Sequence, residues 1–440
     1  MNNTVDNLDD AYNACNPDLP LEANDLRYID LSEVRNGDSI NILVKRIALT
    51  NQNAGFHKQL FTGHIGSGKS TELKRLQQKL EDRQYFVVYI DVEQSLDKTE
   101  INYQDVLLNI AQAVAEEMKE KKMPLKSALV KDIEGWFADT VMTEVYGKEV
   151  NAKASASGEA KIALPFISLL SQLTGEIRSG SSHRKEIRRI IERDLSLFIA
   201  KLNDLLLAAR TQLQKKGYAD LVVIIDGLEK MGYRPIKDNE STHSDFYINH
   251  AEQLNAPNCH IVYTVPISVT FSFNTRDYYT DRAFVLPMVK YQTPEGQAKL
   301  IELIKKRLNV ATLFENENLL VELINMSGGS IRDLFHLIRP CCETADSVIR
   351  QSDVGRAIRN LVKDYDRMLQ KDFVPLLFEV QTDRRISADG DKKYEPLLRL
   401  RLVHEYENGE RWAALHPALS HIRWLQDEFA EIRRTQSPSP

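Results

Sequence analysis

The chain has 440 residues, of which 42% are hydrophobic and 27% are charged, and its formal net charge is −6. A chain of this length is too long for one ordinary core, so two or three domains are expected. The mildly acidic balance argues against a protein that holds nucleic acid mainly by neutralising phosphates. Any such contact would need a local basic patch or a partner.

Cysteine usage and the apolar runs bear on the compartment. Cys15, Cys259, Cys341 and Cys342 lack the spacing of a zinc site, which favours reduced thiols in a cytosolic protein. The start, MNNTVDNLDD, is polar and acidic, unlike a secretory signal. The longest mainly apolar run, residues 162–170, is far shorter than the ~18 residues that indicate a membrane-spanning helix. We therefore expect a cytoplasmic protein without a membrane segment.

The first motif with chemical content is GHIGSGKS, residues 63–70, called the P-loop below. KQLFT before it is typical of a buried strand, and leucines at spacings of three and four after it predict a helix with one apolar stripe. Glycines let successive N–H groups point at phosphate oxygens, a lysine reaches the terminal phosphates, and a serine hydroxyl ligates Mg²⁺. The motif thus predicts ATP and Mg²⁺ as ligands. The predicted nucleotide-binding residues are Gly63, Gly66, Ser67, Gly68, Lys69, Ser70 and Thr71.

A second buried strand, YFVVYID (85–91), is followed by a long interruption. A crossover between parallel strands needs about a dozen residues, whereas residues 92–220 separate this strand from the next one. The amphipathic stretches at 102–122 and 183–216 predict helices, and NAKASASGEAK (151–161) is interpreted as a mobile loop. The insert is expected either to face a partner protein or to pack as a scaffold on the core.

LVVIIDGLEK places two carboxylates after a third strand. The apolar, β-branched run 221–225 predicts a strand buried on both faces, and Asp226 ends it where open α/β sheets bind ligands. Asp226 is the predicted Mg²⁺ ligand together with Ser70. Glu229 is the candidate to polarise the attacking water, with a solvated loop acid as the alternative.

Two further strands complete the predicted sheet, at 260–265 (HIVYTV) and 283–288 (AFVLPM). Their order along the chain matches that of P-loop ATPases, which implies an α/β fold with a parallel five-stranded sheet in the order 5-1-4-3-2. Thr264 would then lie between the two motifs and sense the γ-phosphate. A hydroxyl that caps the next turn is an equal alternative.

The helical region after residue 293 contains SGGSIRDLFHLIRP. Two glycines end one helix there, and Arg332 falls in the first turn of the next, where the helix dipole disfavours a cation. We infer that Arg332 points at an anion. A surface arginine paired with Asp333 or Glu343 is the alternative.

Over residues 24–359 the chain resembles AAA+ and related STAND ATPases, through the P-loop, Asp226 and Arg332. The resemblance implies that Arg332 reaches the γ-phosphate from the lid. It also implies that an arginine between the last two strands, Arg282 rather than Arg276, reaches a neighbouring subunit's nucleotide. Gly227 stands where AAA+ proteins usually have glutamate, so hydrolysis is expected to be slow or regulatory. The insert is similar in position to that of KAP-type P-loop NTPases.

The C-terminal region predicts a small winged-helix-like domain. PLLRLRLVHEYENGERWAALHPAL alternates, and Asn408-Gly409 is typical of a hairpin turn, with helices before and after. Acidic and basic residues are about balanced here, so the charge gives no support for nucleic-acid binding. His404 and His416 have poor spacing for a metal site, as does the group His243, Asp245 and His250, so all are interpreted as core or solvated side chains.

These elements predict an ATP-dependent switch that hydrolyses slowly, oligomerises and controls a separate effector protein, as prokaryotic ATPases of this kind do in anti-phage defence and mobile-element loci. The alternative is a DNA-handling AAA+ ATPase of the origin-recognition or transposition-targeting type, and a third reading is a scaffold that never hydrolyses ATP. The expected domains are a disordered or loosely ordered start (1–24), the ATPase core (25–290, insert at about 92–220), the lid (291–362), the winged-helix-like domain (363–433) and a disordered tail (434–440).

Overall fold

A computed structural model describes residues 4–436, except 36, 51–54, 124, 126–127, 147–165, 238–239 and 387–392. The predicted mobile loop at 151–161 and the last four residues of the predicted tail lie outside the described residues. Within the described part, no helix combines the length and the apolar composition that a membrane span needs.

The centre of the molecule is a parallel five-stranded sheet. Its strands are β1 (Lys58–Gly63), β2 (Phe86–Asp91), β3 (Leu221–Asp226), β4 (His260–Thr264) and β5 (Phe284–Leu286). They lie in the order β2-β3-β4-β1-β5, which confirms the predicted order 5-1-4-3-2. Asp91 is in register with Asp226, and Phe61 with Thr264. The carboxyl ends of β1, β2, β3 and β4 therefore meet at one edge of the sheet.

Both faces of the sheet are covered, which explains its unbroken apolar strands. Side chains alternate between the faces with the period of two of a strand, so that Val222 and Ile224 face one side while Val223 and Ile225 face the other. Helices Ser39–Leu49 and Lys69–Glu81 cover the first face. The second face packs against the insert, which therefore contributes to the core around the sheet.

The insert is helical in its described part. Its longer helices are Tyr103–Glu120, Ala128–Trp136, Phe166–Ser179, His183–Arg193 and Leu195–Lys215. Residues 183–216 do not form one continuous helix, because Asp194 leaves helical geometry (φ −109°, ψ 30°) and divides the stretch in two.

Five helices follow β5: Pro294–Lys305, Val310–Leu313, Glu317–Met326, Ile331–Thr344 and Gln351–Met368. Ser330 caps the fourth of them, since its side chain accepts a hydrogen bond from the N–H of Asp333. The glycines before it, Gly328 and Gly329, both have positive φ angles. This turn lets the chain reverse and start helix Ile331–Thr344 next to the P-loop.

The N-terminal residues differ from the expectation of a disordered or loosely ordered start. Helix Leu8–Ala14 packs on helix Ile331–Thr344, where Ala11 and Cys15 are fully buried. Arg339 also lies over the ring of Tyr12. The polar composition of this stretch concealed a small apolar face that the lid buries.

The C-terminal region contains helices Val374–Asp383 and Glu395–Arg399, strands β6 (Val403–Asn408) and β7 (Glu410–Leu415), and helix Arg423–Gln436. The two strands form an antiparallel hairpin that turns at Gly409, so the predicted hairpin is confirmed. The winged-helix interpretation of the whole region stays a prediction.

Candidate nucleotide-binding site

The P-loop has the backbone shape that a phosphate cradle requires. Gly66 and Gly68 have φ angles of +92° and +90°, a region that side chains other than glycine rarely adopt. Gly68 is followed at once by helix Lys69–Glu81, so the free N–H groups of that helix start face the loop. Loop amides and a helix N-terminus together form a site for an anion.

Lys69 is held inside the loop. Its Nζ donates to the carbonyl oxygens of Gly63 at 3.1 Å and His64 at 3.3 Å, and it pairs with Glu229 Oε1 at 3.3 Å. The ammonium group therefore lies at the centre of the loop, between the two motifs that the sequence predicted. The ion pair between Lys69 and Glu229 has to break before Lys69 can contact a phosphate.

Asp226 ends β3 beside Ser70, as the sequence predicted. The phenol of Tyr89 donates to Asp226 Oδ2 at 2.8 Å, and Oδ1 is buried without a hydrogen-bond partner among the described residues. Burial, and then the charge of Glu229, raise the pKa of Asp226 above its ordinary value, in spite of the nearby Ser70 hydroxyl. A carboxylate oxygen lacking a partner beside a serine hydroxyl is a donor set that suits Mg²⁺.

Glu229 lies inside the site rather than in solvent. Its side chain is 6% exposed, and Oε2 has no hydrogen-bond partner among the described residues. Burial acts to raise the pKa of Glu229, but the charge of Lys69 opposes it, and the pKa stays below its ordinary value. The residue is therefore a buried, ionised carboxylate, which is the form that a general base needs.

Thr264 lies between the two motifs, and its contacts are those of a turn-capping residue. Its hydroxyl donates to Ile225 O at 3.2 Å and accepts the N–H of Leu228 at 3.0 Å. These bonds fix the turn that carries Asp226 and Glu229. A contact with the γ-phosphate stays a prediction.

Arg332 reaches the P-loop from the lid. Ile331 N donates to Gly66 O at 3.0 Å, which ties the start of helix Ile331–Thr344 to the loop. The Arg332 guanidinium pairs with Asp18 Oδ1 at 3.0 Å, so its partner is neither of the two acids that the sequence suggested. Arg332 does hold an anion, and that anion belongs to the N-terminal segment.

A cavity of about 310 Å³ joins these groups. Residues 17–35, called the N-terminal strap below, form one wall, and the P-loop and lid form the others. The strap is fixed to the P-loop helix, because Leu21 N donates to the Thr71 hydroxyl at 3.2 Å. Apolar strap and lid side chains that line the cavity are Leu19, Leu21, Ile29, Leu31, Leu303 and Phe335.

Arg35 is a buried cation at the base of this cavity. Its guanidinium donates to the carbonyl of Ser67 and lies 3.6 Å from Glu72 Oε1, while its Nε has no hydrogen-bond partner among the described residues. Burial lowers the pKa of Arg35, and the charge of Glu72 acts in the opposite direction. Arg35 thus adds a second cation to the loop that Lys69 occupies.

Arg276 and Arg282 lie away from this site. The carbonyl of Arg282 accepts from Gln59 Nε2 at 2.9 Å, which places it at the start of β1. The P-loop begins at the other end of that strand, roughly 13 Å away at ~3.3 Å per residue. Both arginines are exposed. A role in a neighbouring subunit's site stays a prediction for Arg282.

The C-terminal hairpin also contacts the P-loop. Glu405 N donates to His64 Nε2 at 2.9 Å, and the Tyr406 hydroxyl donates to Gly328 O at 2.7 Å. Burial, and then the charge of Lys69, lower the pKa of His64 to about 3, so its ring is neutral. The P-loop is therefore bonded to the lid through Gly66 and to the hairpin through His64.

Comparisons with known proteins give a likeness of overall shape at low identity. No family model matches the chain, and neither does any curated protein. Among solved structures, Cdc6p from Pyrobaculum aerophilum is similar, with 12% identity, 96% of this chain and 98% of that chain covered, and a TM-score of 0.37. The Drosophila ORC bound to DNA has 11% identity, coverages of 96% and 92%, and a TM-score of 0.38.

A Walker-type ATPase of Pyrococcus abyssi has 16% identity, coverages of 94% and 99%, and a TM-score of 0.42. TM-scores below 0.5 do not establish a shared function. The function of this chain has to come from the geometry of its own site.

Four residues of the site had not been predicted: Asp18, Arg35, Tyr89 and His64. A signal existed for Tyr89, which lies near the end of the strand at 85–91, next to the Asp226 strand in the predicted sheet order. His64 follows the first glycine of the P-loop, but nothing in the sequence indicates its contact with Glu405. Asp18 and Arg35 lie in a region without helical or strand periodicity, so no pattern in the sequence distinguishes them.

Proposed function

We propose that the chain is an ATP-binding switch that hydrolyses ATP slowly and passes the state of its nucleotide site to the lid and the C-terminal hairpin. The observation that carries the proposal is the double attachment of the P-loop, to Ile331 through Gly66 and to Glu405 through His64. A ligand that reshapes this loop acts on both bonds at once. A bistable element biased by phosphate contacts is how nucleotide switches operate.

In this proposal the amides of the P-loop and Lys69 bind the phosphates of ATP. Ser70 and Asp226 hold Mg²⁺, which would supply charge neutralisation on the phosphate oxygens when bound. Once the phosphates take Lys69, Glu229 loses its cation and is free to accept a proton from water. Tyr89 keeps Asp226 oriented, because it holds Oδ2 and leaves Oδ1 for the metal.

The existing partners of these side chains support slow rather than rapid turnover. Lys69 is paired with Glu229, and Arg332 is paired with Asp18. Each pair must break before the groups reach ATP, and a conformational step of this kind commonly limits the rate.

Phosphate release tests the enzymatic part of the proposal. Wild-type protein with Mg-ATP should release phosphate, Glu229→Gln should bind ATP without releasing it, and Lys69→Ala should do neither. Equal release by wild type and Glu229→Gln would remove Glu229 from the chemistry. ATP binding by all three proteins without any release would leave the chain as a non-hydrolysing scaffold.

The finer parts of the proposal are oligomerisation through Arg282, control of a separate effector protein and a setting in bacterial anti-phage defence. The exposure of Arg282 at the amino end of the sheet, away from its own site, supports a contact in trans. Light scattering with and without ATP should show larger assemblies for wild type than for Arg282→Ala. The product of a neighbouring gene that co-purifies with the chain would identify the effector.

A DNA-handling ATPase is the second candidate, favoured by one basic helix face. Arg356, Arg359, Lys363 and Arg367 recur at spacings of three and four on helix Gln351–Met368, and all four are exposed. Asp364 lies 3.5 Å from Arg367 and reduces the positive charge of this face. Gel shifts at increasing salt decide between the two, because binding through phosphates falls steeply with salt.

A further inference from the structure

Three side chains that the nucleotide site does not use meet in the interior between the lid and the C-terminal hairpin. Asp333 belongs to helix Ile331–Thr344, His404 to β6, and His416 follows β7. One possible ligand atom from each lies within 4.8 Å of the other two. All three side chains are at most 3% exposed. Asp333, which precedes the two histidines by 71 and 83 positions, thus meets them at one buried point.

The atoms that face this point are without hydrogen-bond partners. Among the described residues, Asp333 Oδ2, His404 Nε2 and His416 Nε2 are all buried and unsatisfied. A buried polar group without a partner costs about 1–3 kcal/mol, so three at one place are rare in a native protein. A bound ion is one of the standard explanations for such a cluster.

The outer contacts of Asp333 and His404 prepare them as ligands. His404 Nδ1 faces Gly328 O at 3.4 Å, which fixes the proton on Nδ1 and leaves the Nε2 lone pair free. Arg401 donates to Asp333 Oδ1 at 3.1 Å and leaves Oδ2 free. Ligating histidines and carboxylates in metalloproteins are oriented by second contacts of this kind.

His416 supplies the third donor. Its Nε2 lies 3.7 Å from Asp333 Oδ2, too long for a hydrogen bond but close to the roughly 3.4 Å between two ligands of a tetrahedral zinc ion. Its ring stacks on Tyr365, with 4.1 Å between the ring centres. One contact opposes binding. Ala418 N donates to His416 Nδ1 at 3.2 Å, so a metal on Nε2 requires the ring proton to move to Nδ1 and this hydrogen bond to break.

We propose that Asp333, His404 and His416 bind a divalent transition-metal ion, for which Zn²⁺ is the best chemical fit. Two imidazoles and one carboxylate are a ligand set that zinc accepts. His64 is close to His404, but it does not belong to the group whose possible ligand atoms all lie within 4.8 Å of one another.

The ion would join the lid helix to the C-terminal hairpin, directly behind the hairpin's bond to the P-loop. None of its ligands lines the nucleotide cavity, so the ion would lie outside the phosphate-binding site. Its loss should loosen the hairpin from the lid without removing the phosphate-binding groups.

Cobalt substitution tests this site in the full-length protein. After dialysis against a chelator, addition of Co²⁺ in excess Mg²⁺ should give the strong visible absorption of tetrahedral Co²⁺, and Zn²⁺ should displace it at one ion per chain. Cobalt at oxygen ligands such as Ser70 and Asp226 is octahedral and absorbs weakly, so the two sites are distinguishable. Zn²⁺ should also raise the melting temperature of the wild-type protein.

Variants identify the ligands. His404→Gln and His416→Gln should each weaken Zn²⁺ binding by at least ~100-fold, since losing a ligand costs more than losing its outer contact. His243→Gln is the matched control, because His243 is another buried histidine, bonded to Met231 O, and should leave binding unchanged. Wild-type protein without tetrahedral Co²⁺ absorption overturns the proposal even if the variants fail to fold, and so does an equal loss in His243→Gln.

Discussion

The ion pair between Asp18 and Arg332 offers the sharpest test of the proposed switch. Asp18 occupies the guanidinium that we expect to contact the γ-phosphate, at 3.0 Å. A carboxylate and a phosphate oxygen compete for the same donors. Asp18→Asn removes the negative charge but keeps the shape of the side chain. It should therefore favour the contact of Arg332 with ATP over its contact with the strap.

The exposure of the two partners sets the size of the effect. The Asp18 side chain is 72% exposed and that of Arg332 is 26% exposed, so water screens the pair. Exposed ion pairs contribute roughly 0.2–1 kcal/mol. Because 1.4 kcal/mol is a factor of ten in affinity, ATP should bind roughly 1.5- to 5-fold more tightly to Asp18→Asn. ADP has no γ-phosphate, and its affinity should change less.

Calorimetric titration with ATP and ADP measures both affinities. Glu22→Gln is the control, because Glu22 belongs to the same strap, is 76% exposed and pairs with Lys74 at 3.6 Å instead of Arg332. An equal gain in this control would indicate a general charge effect. Weaker or unchanged ATP binding by Asp18→Asn, or the same gain in an Arg332→Ala background, would refute the competition.

Other substitutions test separate parts of the structure. Lys69→Ala should abolish nucleotide binding by calorimetry while the circular dichroism spectrum stays that of the wild type. Gly66→Ala should increase hydrogen exchange in helix Ile331–Thr344. An alanine at this positive φ is strained, and its Cβ would overlap the Ser330 hydroxyl. Exchange equal to that of the wild type would contradict the proposed attachment of the P-loop to the lid. Burial lowers the pKa of Lys58 from 10.5 to about 8, so the folded chain holds that proton less firmly than the unfolded chain. The contribution of Lys58 to the free energy of unfolding should therefore rise by about 3 kcal/mol as the pH rises through this interval. In urea titrations this rise should appear in the difference between the wild type and Lys58→Met.

The sheet and its two motifs were predictable because their signals are local. A strand buried on both faces has to be an unbroken apolar run, and a phosphate-binding turn has to contain glycines at fixed spacing. LVVIID and GHIGSGKS satisfy these demands within ten residues each. The element order then restricts the topology, and Asp226 and Ser70 come together as expected.

The partners of these residues were not predictable, because they come from segments without periodicity. Asp18 meets Arg332 across more than three hundred residues, and Glu405 meets His64 over a similar separation. Neither Asp18 nor His64 has a pattern that distinguishes it from a solvated side chain. The proposed metal site shows the same difficulty, because the sequence spacing of His404 and His416 does not indicate a metal site and Asp333 comes from another element.

The side chains that ATP would engage are held by partners from the chain itself. Lys69 is neutralised by Glu229 and Arg332 by Asp18. The P-loop is tied to the lid by the N–H of Ile331 on the Gly66 carbonyl, and to the hairpin by the N–H of Glu405 on the His64 ring. Breaking these contacts costs free energy that the phosphate contacts must supply, which lowers the apparent affinity. The same cost couples the site to distant elements, because a ligand shifts a conformational equilibrium only through interactions that differ between the two states. A site built for rapid turnover would gain nothing from these internal partners, whereas a switch depends on them.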